Sequence, residues 1–212
     1  ESAPTTAASD AAITETLDRW ILSRLHETIT KATEAFARYE YADALDATNQ
    51  FFWADFCDNY LELIKKRVYN EDGSASPAAQ QSAVRTLYYV LDGILKLYAP
   101  FTPHVTEELY SHIFADSYAA KGSLHANGQW PKAGSYPLDE VAISAGKIIT
   151  SALEYVRRTK SEASKSIKYP VEQLVVSSGE IPVALLASVA EDLKGAGNIR
   201  NLQWNVEARA MS

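Results

Sequence analysis

Apolar residues recur every three or four positions along most of the chain. The pattern is heaviest in NQFFWADFCDNYLELIKKRVY, residues 49–69, where no Gly or Pro interrupts it. Trp53, Cys57, Tyr60, Ile64 and Val68 follow the 3.6-residue period, and Phe52, Phe56 and Leu63 widen the same stripe. Asp55, Asp58, Glu62 and Lys66 fall on or near the other side, with Glu62 and Lys66 spaced as a favourable helical pair. So many aromatics need cover from other elements, which predicts a central bundle helix with Trp53 and Phe56 in its core.

The same period predicts the neighbouring elements. Ile13, Leu17, Ile21, Leu25, Ile29, Ala32 and Phe36 mark a helix from about residue 10 to 39, with Asp10 or Thr14 as N-cap and Trp20 beside the stripe. Tyr39-Glu40-Tyr41 turns tightly into a second helix over 42–69, and Asn70-Glu71-Asp72-Gly73-Ser74 ends it. A third helix starts near Pro77, carries Val84, Leu87, Tyr88, Leu91, Ile94, Leu95 and Tyr98, and stops before Pro100 and Pro103. Thr106 suits the N-cap of a fourth, with Leu109, Tyr110, Ile113 and Phe114 apolar.

Residues 121–137 are rich in Gly, Pro and Ser and read as an irregular crossing pinned by Trp130 and Tyr136. A fifth helix over 139–161 carries Val141, Ile148, Ile149, Ala152 and Val156. Beyond it Val171, Leu174, Val175 and Val176 read as a strand, 181–193 as a short helix, and Ile199, Leu202, Trp204 and Val206 as a second strand. The fold class is therefore mainly α: an antiparallel helical bundle followed by a small α/β unit. Residues 1–9 form a flexible leader, 10–138 the bundle, and 139–212 the fifth helix and α/β unit.

Composition narrows the function classes. With 47% apolar and 22% charged residues among 212, the chain is an ordinary folded protein without a membrane-length apolar run. It shows no secretory signal and does not begin with Met, as a piece of a longer protein would not. Cys57, the single cysteine, lies on an apolar stripe as a core thiol, which fits a reducing cytoplasm. The net charge of −7 argues against a generic nucleic-acid binder, but basic residues outnumber acidic ones, 9 to 7, within 144–212. A polyanion contact would be a local patch.

Candidate chemistry is sparse. No phosphate-binding loop, HExxH, GxSxG or paired-cysteine metal signature is present, and we assign no catalytic or metal-binding residue. His104, Glu108 and His112 share a helical spacing, but a helix capped at Thr106 would leave His104 outside it. Asp55, Asp58 and Glu62 read as an exposed face or structural ion pairs. Gly195-Ala196-Gly197-Asn198 reads as a plain turn. The cluster Arg157, Arg158, Lys160, Lys165 and Lys168, interleaved with Tyr155 and Tyr169, suits phosphates and stacked bases, and equally a solvated helix end.

Four ordered motifs carry a resemblance: Asp18-Arg19-Trp20; Trp53 with Phe56-Cys57-Asp58 and Tyr60-Leu61-Glu62; Pro100-Phe101 with Pro103 and Thr106-Glu107-Glu108-Leu109; and Trp130-Pro131. Over about residues 13–170 they resemble the anticodon-binding domain of class I aminoacyl-tRNA synthetases, in an order and spacing most similar to the valyl enzymes. Isoleucyl and leucyl relatives, or a helical protein-interaction module without RNA binding, are the alternatives. Ala99, Asn59 and Tyr110 depart from the family's usual residues.

The resemblance implies a bundle of the class I anticodon-binding type that grips a tRNA anticodon stem-loop, tRNAVal in the valyl case. A catalytic domain of the same polypeptide, absent from this chain, would charge the tRNA in the cytoplasm using ATP and Mg. No cofactor is expected in this stretch, and neither DNA nor a membrane is a partner. Ser164-Lys165-Ser166 mimics the end of the family's ATP-binding loop but follows the bundle instead of preceding it, so the mimicry is read as accidental. Candidate RNA contacts are Arg24, Tyr41, Glu108, Arg157, Arg158 and Lys160, on the chemistry of aromatic stacking and cation–phosphate contact. Arg19 and Asp58 are expected to pair and lock the first two helices together.

Overall fold

The computed structural model describes residues 13–127, 130–177 and 183–205. The expected leader and the Asp10 cap lie outside them, as does Val206. Helix α1 (Thr16–Ala37) is followed by α2 (Tyr41–Gln50), a π-helical stretch (Phe51–Tyr60) and α3 (Leu61–Tyr69), which run on as one rod. Then come α4 (Pro77–Tyr98), α5 (Pro103–Ile113), α6 (Ala115–Lys121), α7 (Leu124–Asn127) and α8 (Glu140–Glu162). Strand β1 (Val171–Ser177), α9 (Val183–Ser188), α10 (Ala190–Gly197) and β2 (Ile199–Asn205) complete the described chain.

Side-chain pairs give the directions. On α1, Asp18 meets Arg67 and Arg24 meets Asp55, so the rod runs antiparallel to α1. Tyr98 reaches Asn49 and Gln80 reaches the Val68 carbonyl, so α4 returns antiparallel to the rod. Helix α8 runs back along α1, and Gly146 lets it come close: an added Cβ would lie 2.2 Å from Cδ1 of Trp20. The two strands pair in parallel, Val171 opposite Ile199, with α9 and α10 between them in sequence. Leu174, Val176, Leu193 and Ile199 join the cluster built by Leu17, Ile21, Leu25, Phe51, Tyr60 and Leu63, so the bundle and the α/β unit share one core.

Punctuation residues behave as their chemistry dictates. Pro77 opens α4 behind Ser76, whose side chain accepts from the Ala79 amide, and Asp139 does the same for α8 through Ala142. Asn70 ends α3 in the left-handed conformation at φ 46°. Trp130 is pinned as expected, its indole donating to Thr33 Oγ1 at 2.8 Å, while His26 Nδ1 lies 3.0 Å from the Tyr136 carbonyl.

Several expectations are corrected. Trp53 is not core: it is 60% exposed, whereas Phe51, Phe56 and Tyr60 are buried. Each π turn takes more residues than an α turn, so Phe51 and Phe56, five apart, share the inner face and Trp53 swings out. Glu15, not Thr14, occupies the N-cap position of α1. Helix α5 begins at Pro103 behind Thr102, so Thr106 lies inside it, donating its hydroxyl to the Thr102 carbonyl at 2.9 Å. That places His104 on the helix after all, yet it is Glu108 and His112 that come together, at 3.0 Å. The 181–193 segment forms two helices, and Gly195 and Gly197 belong to the second, with Asn198 making the turn. Val84, Leu109, Ile113 and Val141 are exposed. In α4 the small residues Ser82, Ala83, Thr86 and Gly93 are buried beside Ile94 and Leu95; Ser82 donates to Asp18, and a Cβ on Gly93 would stand 2.8 Å from Leu25.

Candidate nucleic-acid interface

The polar residues divide into those the fold consumes and those it displays. Asp18, fully buried on α1, accepts from the Tyr60 hydroxyl at 2.7 Å, from Ser82 Oγ at 2.6 Å, and from Arg67 Nη1 and Nη2 at 2.8 and 2.9 Å. Arg67 also reaches Asp192 on α10, Nη2 to Oδ2 at 3.1 Å, so one guanidinium ties α1, α3 and α10. Burial alone would depress the Arg67 pKa; hydrogen bonds and charge from Asp18, with Asp192 behind it, raise it. Burial pushes the Asp192 carboxyl up to about 6 against the pull of Arg67, and holds Tyr60 well above the usual phenol range with Asp18 adding to it. Every oxygen of Asp18 is engaged by a donor, so this seam is structural and offers no reacting group.

The expected Arg19–Asp58 pair does not form. Arg19 Nη1 lies 3.3 Å from Asp139 at the start of α8, and the Asp58 carbonyl accepts from Arg157 Nη2 at 2.7 Å. The lock between helix one and the rod is Asp18 with Arg67, one residue from the expected donor on a face turned by about 100°. The order of residues on a helix does not reveal which of two adjacent charges points inward.

Among the candidate RNA contacts, the fold separates inner from outer cations. Arg24 is held by Asp55, Nε to Oδ2 at 3.1 Å, and by Glu27; burial raises the Asp55 carboxyl while Arg24 opposes it. Arg157 is anchored on Asp58 and, at 3.4 Å, on Asn59 Oδ1. Lys160 is corrected outright: it is 6% exposed, and its ammonium donates to the Ile167 and Gly197 carbonyls, both at 2.8 Å. Burial pulls its pKa below the usual lysine range. It cannot touch RNA from there.

What remains at the surface is a short edge at the end of α8. Arg158 lies over the exposed ring of Tyr155 at 5.8 Å, and Lys165 over the half-exposed ring of Tyr169 at 5.2 Å. Cations stacked beside open aromatic faces offer charge to phosphates and a platform to bases. A groove of about 740 Å³ leads away from this edge between α8 and β1, walled by Lys147, Ser151, Tyr155, Val175 and Ser177. Tyr41 is half exposed and meets Tyr39 edge-on at 6.4 Å, at the far turn between α1 and α2. Glu108 is exposed on α5 beside His112. These six candidates therefore do not converge on one spot.

Trp53 and Tyr39 are exposed aromatics that the sequence does not mark as site residues, whereas Lys165 and Tyr169 belong to the basic cluster it does mark. Tyr39 adopts φ 61°, a left-handed conformation costly for an aromatic residue, with its ring 79% exposed. The five-residue spacing of Phe51 and Phe56 was the signal that could have placed Trp53 outside. No group of three or more His, Cys, Asp or Glu among the described residues could hold a metal ion, and none of their helices is long and apolar enough to cross a membrane.

Comparison with known proteins gives a consistent picture. A family model described as the anticodon-binding domain of tRNA ligase matches residues 18–175. A valine–tRNA ligase of Ehrlichia canis is 46% identical over 156 residues, 74% of this chain and 19% of that protein. One from Wolbachia of Brugia malayi is 37% identical over 204 residues, 96% of the chain and 23% of the relative. One from Rickettsia felis is 39% identical over 194 residues, 91% and 21%. The chain thus spans about a fifth of the length of the curated relatives it matches. With the matched residues running from the start of α1 into β1, across the bundle described above, the chain belongs to the family of anticodon-binding domains of tRNA ligases.

Proposed function

We propose that this chain is the anticodon-binding part of a valine–tRNA ligase, and that it holds the anticodon stem-loop of tRNAVal while a catalytic part of the same polypeptide performs ATP- and Mg-dependent aminoacylation in the cytoplasm. The valine assignment rests on the names of the relatives, each a valine–tRNA ligase. The observation that carries RNA binding is the outward display of Arg158 on Tyr155 and Lys165 on Tyr169, while Arg24, Arg67, Arg157 and Lys160 nearby in sequence or space are held by protein groups. Against a net charge of −7, the excess of basic over acidic residues within 144–212 supports this edge as the place for a polyanion contact.

The test is a titration of the 212-residue chain with tRNAVal and with an unrelated tRNA at several salt concentrations. Binding should favour tRNAVal and fall steeply with salt, and Arg158→Ala should weaken it and lower the salt slope by about one. Equal affinity for both tRNAs at moderate salt would remove the valine assignment, and no binding to either would remove the RNA role.

A further inference from the structure

The buried ammonium of Lys160 needs a reason, since removing a charge from water is costly and no carboxylate among the described residues pairs with it. Its two acceptors are informative. Ile167 belongs to the exposed loop 163–170, sequence ASKSIKYP, and Gly197 is the last residue of α10. The lysine therefore stands beneath the loop and fastens it to the α/β unit.

A second anchor acts from the other side. Asn198, in the left-handed conformation at φ 49°, donates its side-chain amide to the Lys168 carbonyl at 2.6 Å, and its own carbonyl accepts from the Val171 amide at 2.9 Å. Within the loop, Ser164 is also left-handed at φ 52°, the Lys165 amide returns to the Lys160 carbonyl at 2.8 Å, and the Tyr169 amide returns to the Ser166 carbonyl at 2.8 Å. All the side chains from Ala163 to Tyr169 are exposed, with Ile167 at 64%. Apolar burial thus contributes little to holding this loop, and its backbone anchors do that work. Loops without such anchors lose freedom on binding, and that loss weakens affinity. The loop carries Lys165 and Lys168 and no acid.

We propose that Lys160 and Asn198 are positioning residues: they cradle loop 163–170 in one conformation so that Lys165, Lys168 and Tyr169 meet the phosphate backbone of an RNA as a preset edge. This rests on the RNA-binding reading above and adds to it a loop and the two residues that hold it. The Ser164-Lys165-Ser166 sequence is then part of a rigid cationic edge.

The experiment compares Lys160→Met, Lys165→Ala and the double variant in the 212-residue chain, reading tRNA affinity at fixed salt and backbone hydrogen exchange. Lys160→Met keeps the stem and removes the ammonium. It should speed exchange at the Lys165 and Tyr169 amides and weaken tRNA binding about tenfold, as loss of a phosphate contact does. Lys165→Ala should then cost much less affinity in the Lys160→Met background than alone, because a loosened loop has already lost that contact. A lysine that only caps α10 would give additive losses, and additivity overturns the proposal, as does unchanged exchange in the loop. If Lys160→Met fails to fold, Asn198→Asp replaces the donor at the Lys168 carbonyl and keeps the turn, and it must give the same non-additivity with Lys165→Ala. Failure of the unmodified chain to bind tRNA would overturn the RNA reading and the loop's assigned purpose, while the exchange data would show separately whether the cradle holds the loop.

Discussion

The seam between α1, α3 and α10 and the edge at the end of α8 are built from the same kinds of side chain, arranged inside out. At the seam, Arg67 is 6% exposed and its donors are shared between Asp18 and Asp192, with a further bond to the Ala79 carbonyl. At the edge, Arg158 is 64% exposed and leans on Tyr155, with Glu162 3.9 Å away. A buried guanidinium with its partners fixed serves as a tie between elements, and removing it strands a charge. An exposed one contributes little to stability and stays available to a ligand. The difference lies in the surroundings alone, and it separates what holds this protein together from what it can offer to RNA.

The comparison can be broken most severely at Arg67. Arg67→Met leaves Asp18 buried with only Tyr60 and Ser82 as donors, and should lower the unfolding free energy in urea by about 3–5 kcal/mol. A loss below about 1 kcal/mol would mean that the seam is not the tie described.

Next comes Asp192, whose carboxyl is raised from 3.8 to about 6. A raised acid binds its proton more readily folded than unfolded, so its contribution to stability is full below about pH 4 and is lost as pH rises through 6. At 1.36 kcal/mol per unit, and with the unfolded carboxyl already part-ionised at pH 4, the advantage of the unmodified chain over Asp192→Asn should shrink by about 2 kcal/mol between pH 4 and pH 7. Urea melts of both proteins at the two pH values measure it, and a constant difference would contradict the burial of that carboxylate.

A smaller effect contrasts the two halves of α8. Gly146→Ala places a methyl group against Trp20 and should cost about 1–3 kcal/mol, with a change in tryptophan fluorescence. The smallest effect is at the edge itself. Arg158→Ala should leave the melting curve within about 0.5 kcal/mol of the unmodified protein, in contrast to its effect on RNA binding. A large destabilisation there would erase the distinction between tie and display.

Much of the scaffold was legible along the chain because local chemistry marks it. Pro77, Pro103, Asn70 and Asp139 each restrict the backbone or satisfy an orphan amide at a helix end, and such effects do not depend on distant residues. Thr106 lies inside α5 because Pro103, three residues earlier, already suits the first helical turn. Trp53 falls on the inner stripe only at 3.6 residues per turn, and the stretch that carries it winds more slowly. In α4 the buried position of Gly93 is not marked by apolar period, because close approach of Leu25 rewards the smallest residue, which hydrophobicity does not register.

The candidate site was legible only as a list of cations. Lys160 and Arg158 are two residues apart on one helix, and nothing in their spacing says that one donates to carbonyls inside while the other faces water. The sequence by itself determined most of the helices, several of their ends and the motifs that mark the family, since those follow from backbone sterics, side-chain period and residue identity. Only the tertiary structure decided which charges tie the elements together and which remain on display, because the energy of a charge depends on partner distance and on access to water, and both are set by elements far apart in the chain.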